Sequence, residues 1–258
     1  MPVVYRAIIF IHPMNSPSIK IISLNIERSK HIDRILPFLV REQPDVFCVQ
    51  ELCKKDIQYF QSELLPECAY IPMAFIADDD ETSEPCEAGL GIFSRLKITA
   101  SRALQYAGEG DKIPVYYHPD QSTTNRHLLI SDLIKDGVLF KIGTTHFTWT
   151  PDGTVDDTQR QDLSKLLEML KNEDELILTG DFNAPRGGEI FSTITNHYGD
   201  NVPLQYTTSI DGALHRAGKL EHMVDGLFST PMYEVKDVRM ECGVSDHCAL
   251  IGTVSKRR

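Results

Sequence analysis

The chain predicts an α/β protein of two packed mixed sheets flanked by helices, and three observations predict it. Helix-periodic segments lie near both ends of a strand-rich middle. Hairpin signals interrupt the strand–helix alternation that a purely parallel doubly wound sheet would require. Apolar strand runs end repeatedly on an acid, an amide or an imidazole.

Residues 19–26, Ile-Lys-Ile-Ile-Ser-Leu-Asn-Ile, read as a β-branched strand whose last polar residue is Asn25. Ser29 or its neighbour is placed to cap the next segment, where Ile32, Ile35, Leu36 and Leu39 recur at helical spacing. Pro37 inside that pattern predicts a kink or an early break. A strand over 46–49 follows Pro44-Asp45 and runs into Gln50-Glu51. A second helix is expected over 57–65 and a strand over 70–77. The acidic stretch 78–87 reads as a solvated loop. Residues 90–94 and 98–104 read as a pair of strands joined by a short turn.

An aperiodic loop spans 108–125. Strands 126–134 and 138–145 then flank Lys135-Asp136-Gly137, a hairpin signal, and the second runs into His146. After a polar loop, helix 158–170 carries Leu163, Leu166, Leu167 and Leu170 on one face. The apolar run 176–179 stops at Gly180 and is followed by Asp181-Phe-Asn183, with Pro185 beyond, so it reads as a buried strand ending in a loop. A short helix over 189–195, a stretch over 196–219 that is mostly loop, and strands 223–228, 233–238 and 248–254 complete the order.

With 258 residues, 41% hydrophobic and 24% charged, the composition is that of a globular chain and excludes disorder as its state. We read it as one domain over 1–258, with residues 1–17 a dispensable or disordered extension and Met14 an alternative start. Segment 3–11 is too short to span a bilayer and lacks the small-residue cleavage site of a secretory signal. A cytoplasmic protein is therefore expected. A formal net charge of -11 builds no long-range attraction to nucleic acid or anionic membrane into the whole surface. Six Cys include no Cys-x-x-Cys pair, which favours reduced core thiols.

Asn25, Glu51, His146, Asp181, Asn183, Asp225, Asp246 and His247 each fall at or beside the end of an apolar strand. A single polar strand end is ordinarily a turn residue. Eight of them, rich in acid, amide and imidazole, are hard to assign to turns alone and point to a reaction centre. Alternation also places Asp181 and Asn183 on one side of their strand.

The pieces Ser-Leu-Asn25, Val-Gln-Glu51, Thr-Thr-His146, Gly-Asp181-Phe-Asn183, Val-Asp225-Gly and Ser-Asp246-His247 resemble the endonuclease/exonuclease/phosphatase superfamily, the group of deoxyribonuclease I and the apurinic endonucleases. The resemblance implies a four-layer α/β/β/α sandwich that cleaves phosphate esters with magnesium, manganese being a substitute. It implies Glu51 as principal metal ligand with Asn25 nearby and Asp246 in support. Such an ion prefers hard oxygen donors and needs few carboxylates, since it keeps several waters.

By the same resemblance Asp181 orients or deprotonates the attacking water, and Asn183 holds a phosphate oxygen. His247 donates to another oxygen, with Asp225 keeping it cationic. His146 is the second imidazole, with Glu87 its candidate carboxylate partner by similarity with deoxyribonuclease I. Arg126 and Arg186 resemble arginines of phosphodiesterases that release tyrosine from DNA 5′ ends, either being suited to bidentate phosphate contact. Trp149, the single Trp, offers a stacking face for a base or an aromatic leaving group.

The expected activity is accordingly a magnesium-dependent phosphodiesterase acting, as a monomer, on DNA strands or ends. The alternative is the same chemistry on a small or lipid phosphate ester such as a phosphoinositide, a sphingomyelin or a nucleotide. A third reading, an inactive binding scaffold, is opposed by the competent residue type at every expected position.

Overall fold

The computed structural model of the chain describes residues 16–62, 64–76, 86–108, 110, 112–116 and 123–257. Most of the expected N-terminal extension and of the acidic loop, 1–15 and 77–85, lie outside the described residues. In chain order the strands and helices are β1 (Ser18–Asn25), α1 (Ile32–Glu42), β2 (Val46–Cys53), α2 (Ile57–Phe60), β3 (Glu67–Ile76), β4 (Cys86–Ser94), β5 (Lys97–Ala107), β6 (Arg126–Lys135) and β7 (Val138–His146). They continue with α3 (Asp157–Leu170), β8 (Ile177–Asp181), α4 (Glu189–Thr195), β9 (Gly199–Asp200), β10 (Asp225–Ser229), β11 (Tyr233–Glu241) and β12 (Ala249–Lys256).

The strands form two six-stranded sheets, ordered β11-β12-β1-β2-β4-β3 and β5-β6-β7-β8-β10-β9. In the first, β1 runs parallel to β2 and antiparallel to β12; in the second, β8 runs parallel to β7 and antiparallel to β10. The side-chain period of two divides each strand between two cores. Ile19 and Ile21 of β1 and Val46 and Cys48 of β2 meet Leu129, Leu133, Phe140, Ile142 and Ile177 of the other sheet in a core between the sheets. The alternate residues Ile22, Leu24, Phe47 and Val49 face outward onto Ile35, Phe38 and Leu39 of α1. On the opposite outer face, Leu128, Ile130 and Leu178 pack under Leu163, Leu166 and Leu170 of α3 and Phe191 and Ile194 of α4. Helix, sheet, sheet and helix are therefore stacked as expected.

The hairpin β6–β7 closes with Lys135 opposite Val138, and Asp136 and Gly137 have φ of 49° and 78°. Two successive positive φ values match the strand twist, which is why Asp-Gly suits the turn. Helix α3 starts where Asp156 accepts a hydrogen bond from the Gln159 amide at 2.7 Å.

Five expectations are corrected. Strands β4 and β5 are not partners: β4 pairs with β2 and β3, β5 with β6, so the link between them crosses from one sheet to the other. Pro37 lies within α1, which runs on to Glu42 without the expected break, and Ser29 bonds Asp56 rather than capping the helix. The helix expected over 57–65 is one turn, since the chain leaves helical geometry at Gln61, ψ 83°. Four of the six cysteines form disulfides, Cys53–Cys86 and Cys242–Cys248, while Cys48 and Cys68 are thiols that burial pushes up to about 12.

Candidate active site

The apolar rows between the sheets turn polar at one end. In β1 the inward row is Ile19, Ile21, Ser23, Asn25; in β7 it ends Ile142, Thr144, His146; in β8 it is Ile177, Thr179, Asp181. Gln50 of β2 spans the gap there, donating to Thr144 Oγ1 at 2.8 Å.

Cross-strand register builds the part of the site on the second sheet. Asp181 ends β8 opposite His146 of β7 on one side and Asp225 of β10 on the other. Close approach of β7 and β8 depends on Gly180, φ 143°, where a Cβ would sit 2.0 Å from the carbonyl oxygen of Thr145. Asp181 Oδ2 lies 3.5 Å from His146 Nε2 and 3.7 Å from His247 Nε2, and accepts from Asn25 Nδ2 at 3.1 Å. Its other oxygen accepts the Asn183 amide at 2.8 Å. Asn183, φ 49°, donates its side-chain nitrogen to the Phe147 carbonyl at 2.9 Å.

The first sheet supplies carboxylates on irregular backbone. Glu51 sits at a register shift between Val49 and Leu52, with φ 58°. At this bulge Gln50 and Glu51 of β2 stand against the single residue Leu90 of β4, and the one extra residue re-aims that side chain. Asn25 Nδ2 donates to Glu51 Oε1 at 3.3 Å as well as to Asp181, and Asn25 Oδ1 accepts the Glu27 amide at 3.1 Å. Asn25 thus presents its nitrogen to the carboxylates and bridges the two sheets. Cys53–Cys86 ties β2 to β4 two residues beyond Glu51.

Asp246 and His247 lie in the loop before β12, closed by Cys242–Cys248. His247 Nδ1 meets Asp225 Oδ2 at 2.7 Å. Residues 209–211 hold this pair from behind: Ser209 Oγ accepts the Val224 and Asp225 amides at 3.1 Å, Cys248 N donates to Ser209 O, and Asp211 N donates to Asp246 O. Ser209 carried no signal in the sequence.

Charge divides the imidazoles. Burial alone would keep His247 neutral, but Asp225 and Asp181 override it and hold the ring protonated well above its ordinary range. His146 goes the other way: burial, then Arg126 and His247, hold it well below. Asp181 is pushed up to about 7 by burial, with His247 opposing and Asp225 adding to the rise. Burial and then Asp246 raise Glu51, and burial raises Asp246, which His247 only partly offsets.

Three other expected contacts are placed differently. Arg186 pairs with Asp200 at 2.9 Å and donates to the carbonyls of Val202, Pro203 and Tyr206, so it fastens a loop. Arg126 is buried and donates to the His146 carbonyl at 3.0 Å. Glu87 pairs with Lys54 at 3.0 Å, not with His146. Trp149 is half-buried three residues after His146.

Glu27 and His31 escaped the sequence reading. They follow β1 rather than ending it, although the Asn25-x-Glu27 spacing was visible. Glu27, His31 and Asp246 bring one ligand atom each to within 4.8 Å of one another, as do Asp181, Asp225 and His247. Gathered carboxylates that burial and each other's charge destabilise fit a divalent cation, whose charge reverses that balance. Glu51 and Asp246 fit such an ion on this ground, and Glu27, which against burial Lys30 and His31 hold below its ordinary range, stands beside Asp246.

A model of the endonuclease/exonuclease/phosphatase family matches residues 22–247, so the chain belongs to that family, whose members are metal-dependent phosphoester hydrolases. Solved structures share the fold at low identity. An endonuclease/exonuclease/phosphatase from Bacteroides vulgatus is 19% identical, with TM-score 0.68 over 93% of this chain and 100% of that one. The catalytic domain of human Nocturnin, with bound sulfate, is 20% identical, with TM-score 0.65 over 93% and 94%. A mannosyl-6-phosphatase from Bacteroides thetaiotaomicron is 17% identical, with TM-score 0.62 over 92% and 99%. No curated protein matches the chain. Among the described residues no helix is long and apolar enough to cross a membrane.

Proposed function

We propose that this chain hydrolyses a small phosphate ester by in-line attack of water, with Asp181 as the base and a divalent cation held by Glu51, Asp246 and Glu27. The observation that carries the reading is the setting of Asp181, pushed up to about 7 between the imidazoles of His146 and His247. A base poised near the working pH takes a proton most efficiently.

Asn25 holds Asp181 and Glu51 at a fixed separation through one amide nitrogen. The cationic His247 donates from Nε2 to a phosphate oxygen while Asp225 anchors Nδ1. His146, neutral, donates without adding charge beside the base. Asn183 is oriented by its bond to Phe147 O and offers its remaining N–H to the substrate. The cation, when bound, offsets negative charge on the transferring phosphoryl group and the leaving oxygen.

A small substrate is favoured over DNA because both arginines that suggested DNA ends are engaged within the protein. The net charge of -11 gives a polyanionic strand no general attraction. The mannosyl-6-phosphatase relative is consistent with a sugar-phosphate-sized ester. The two disulfides favour an oxidising compartment over the cytoplasm expected from the sequence.

The test is phosphate release from a panel of sugar phosphates, inositol phosphates and nucleotides, beside single- and double-stranded oligonucleotides with and without 5′-tyrosyl ends, each with magnesium, manganese or EDTA. EDTA-sensitive turnover of a small ester with none on oligonucleotides is expected. Cleavage of oligonucleotides alone would return the substrate to DNA, and no EDTA-sensitive turnover on any of them would remove the hydrolase reading.

A further inference from the structure

We propose that His31 supplies an imidazole nitrogen to the cation site, beside Glu27 and Asp246, so that the site takes a borderline first-row ion of the zinc and cobalt type in preference to magnesium. The proposal rests on the hydrolase reading above and adds the chemical class of its ion.

Three observations carry it. Glu27 Oε2 and His31 Nε2 lie 2.9 Å apart, and both come within 4.8 Å of an Asp246 oxygen. Two donors bound to one ion at roughly 2.1 Å stand about 3 Å apart at near-octahedral angles, so Glu27 and His31 already have the spacing of adjacent ligands and Asp246 is the donor that closes on the ion.

The second observation is Asp246 itself. Its carboxylate is 7% exposed, and its one side-chain hydrogen bond among the described residues is at 3.2 Å, from the adjacent Ser245 hydroxyl. A buried carboxylate accepts up to about four such bonds. This one keeps acceptor capacity, with one of its oxygens within 4.8 Å of the Glu27 and His31 donor atoms.

The third is backbone placement. Glu27 and Arg28 have φ of 46° and 62°, and this left-handed turn between β1 and α1 brings residues 27 and 31 to one side. His31 is the residue before α1 and makes no capping hydrogen bond, so its ring is not engaged in starting the helix. Lys30 also reaches Glu27, but at the other oxygen, Oε1, which leaves Oε2 on the His31 side.

Imidazole nitrogen is a good donor to zinc, cobalt and nickel and a poor one to magnesium, which prefers oxygen and water. A site of two carboxylates and one imidazole, with Glu51 adjoining, therefore discriminates by donor chemistry and not by size.

The experiment follows the imidazole nitrogens of the intact protein by 15N NMR during titration with zinc or magnesium, alongside calorimetry on the wild type, His31→Gln and His31→Asn. Zinc is expected to shift the His31 ring nitrogens while magnesium leaves them in place. Both variants should weaken zinc binding by about 10-fold or more and magnesium binding by less than about 3-fold. The wild-type spectrum decides the matter even if the variants fold poorly. Unmoved His31 nitrogens at saturating zinc, or equal weakening of both ions, would overturn the role of His31 and leave the hydrolase reading standing. A wild type that binds neither ion would remove both.

Discussion

The two sheets meet at one site but build their shares of it by different means. On the second sheet Asp181, His146 and Asp225 are register neighbours at the ends of three paired strands, and their positions follow from ladder geometry. On the first sheet Glu51 and Glu27 sit on left-handed backbone, beside a bulge and a turn. Disulfides brace that side, one near Glu51 and one around Asp246 and His247. The proposed base thus stands on regular structure, and the proposed cation ligands on irregular backbone braced covalently. Regular strands tolerate little displacement of a proton-transfer pair, whereas irregular backbone lets several carboxylates converge on a point.

The largest expected effect removes the proposed base. Asp181→Asn should lower kcat by about 10³-fold or more, with the melting temperature and divalent-ion affinity close to wild type. A variant turning over at near-wild-type rate would take the acid–base role away from the second sheet.

Asp225→Asn comes next. It should reduce kcat by about 10²-fold. It should also move the alkaline limb of the pH profile downward, because Asp225 is the first influence holding His247 protonated against burial. In the wild type the sign runs the other way at low pH: Asp181 is protonated below about 7 and cannot accept a proton, so kcat/KM should rise through that value. A profile flat from pH 5 to about 8 would contradict the assignment.

Removing Cys53–Cys86 by double serine substitution tests the braced side. Stability should fall by about 2–4 kcal/mol. Divalent-ion affinity should weaken while the acid limb stays in place. A shifted acid limb with unchanged ion affinity would erase the contrast between the sheets.

Arg186→Ala should have the smallest effect on catalysis. The melting temperature should drop, reflecting about 1–3 kcal/mol from lost hydrogen bonds to the 200–206 loop, and kcat/KM should change little. A large rise in KM without loss of stability would restore Arg186 to substrate binding.

Much of this organisation was legible because it is local. The hairpin about Asp136-Gly137 needed only turn chemistry, and the strand-end residues Asn25, Asp181 and Asp225 needed only an apolar run and its terminus. Pairing across the chain was not legible. The link after β4 reads as a turn, yet nothing in Arg95-Leu96 says that the next strand belongs to the other sheet. The cysteines likewise lack spacing signals, because Cys53 meets Cys86 only through the β2–β4 ladder. Arg186 looked available because Asp200 and the carbonyls it binds lie on a loop whose course is set by tertiary contacts.

Gly180 limits what this site can become. With no room for even a methyl group against Thr145, the approach of β7 to β8, where Asp181 faces His146, is set by main chain alone. Any side chain at this position would push the two strands apart at the site, whereas the rim can change without touching that gauge.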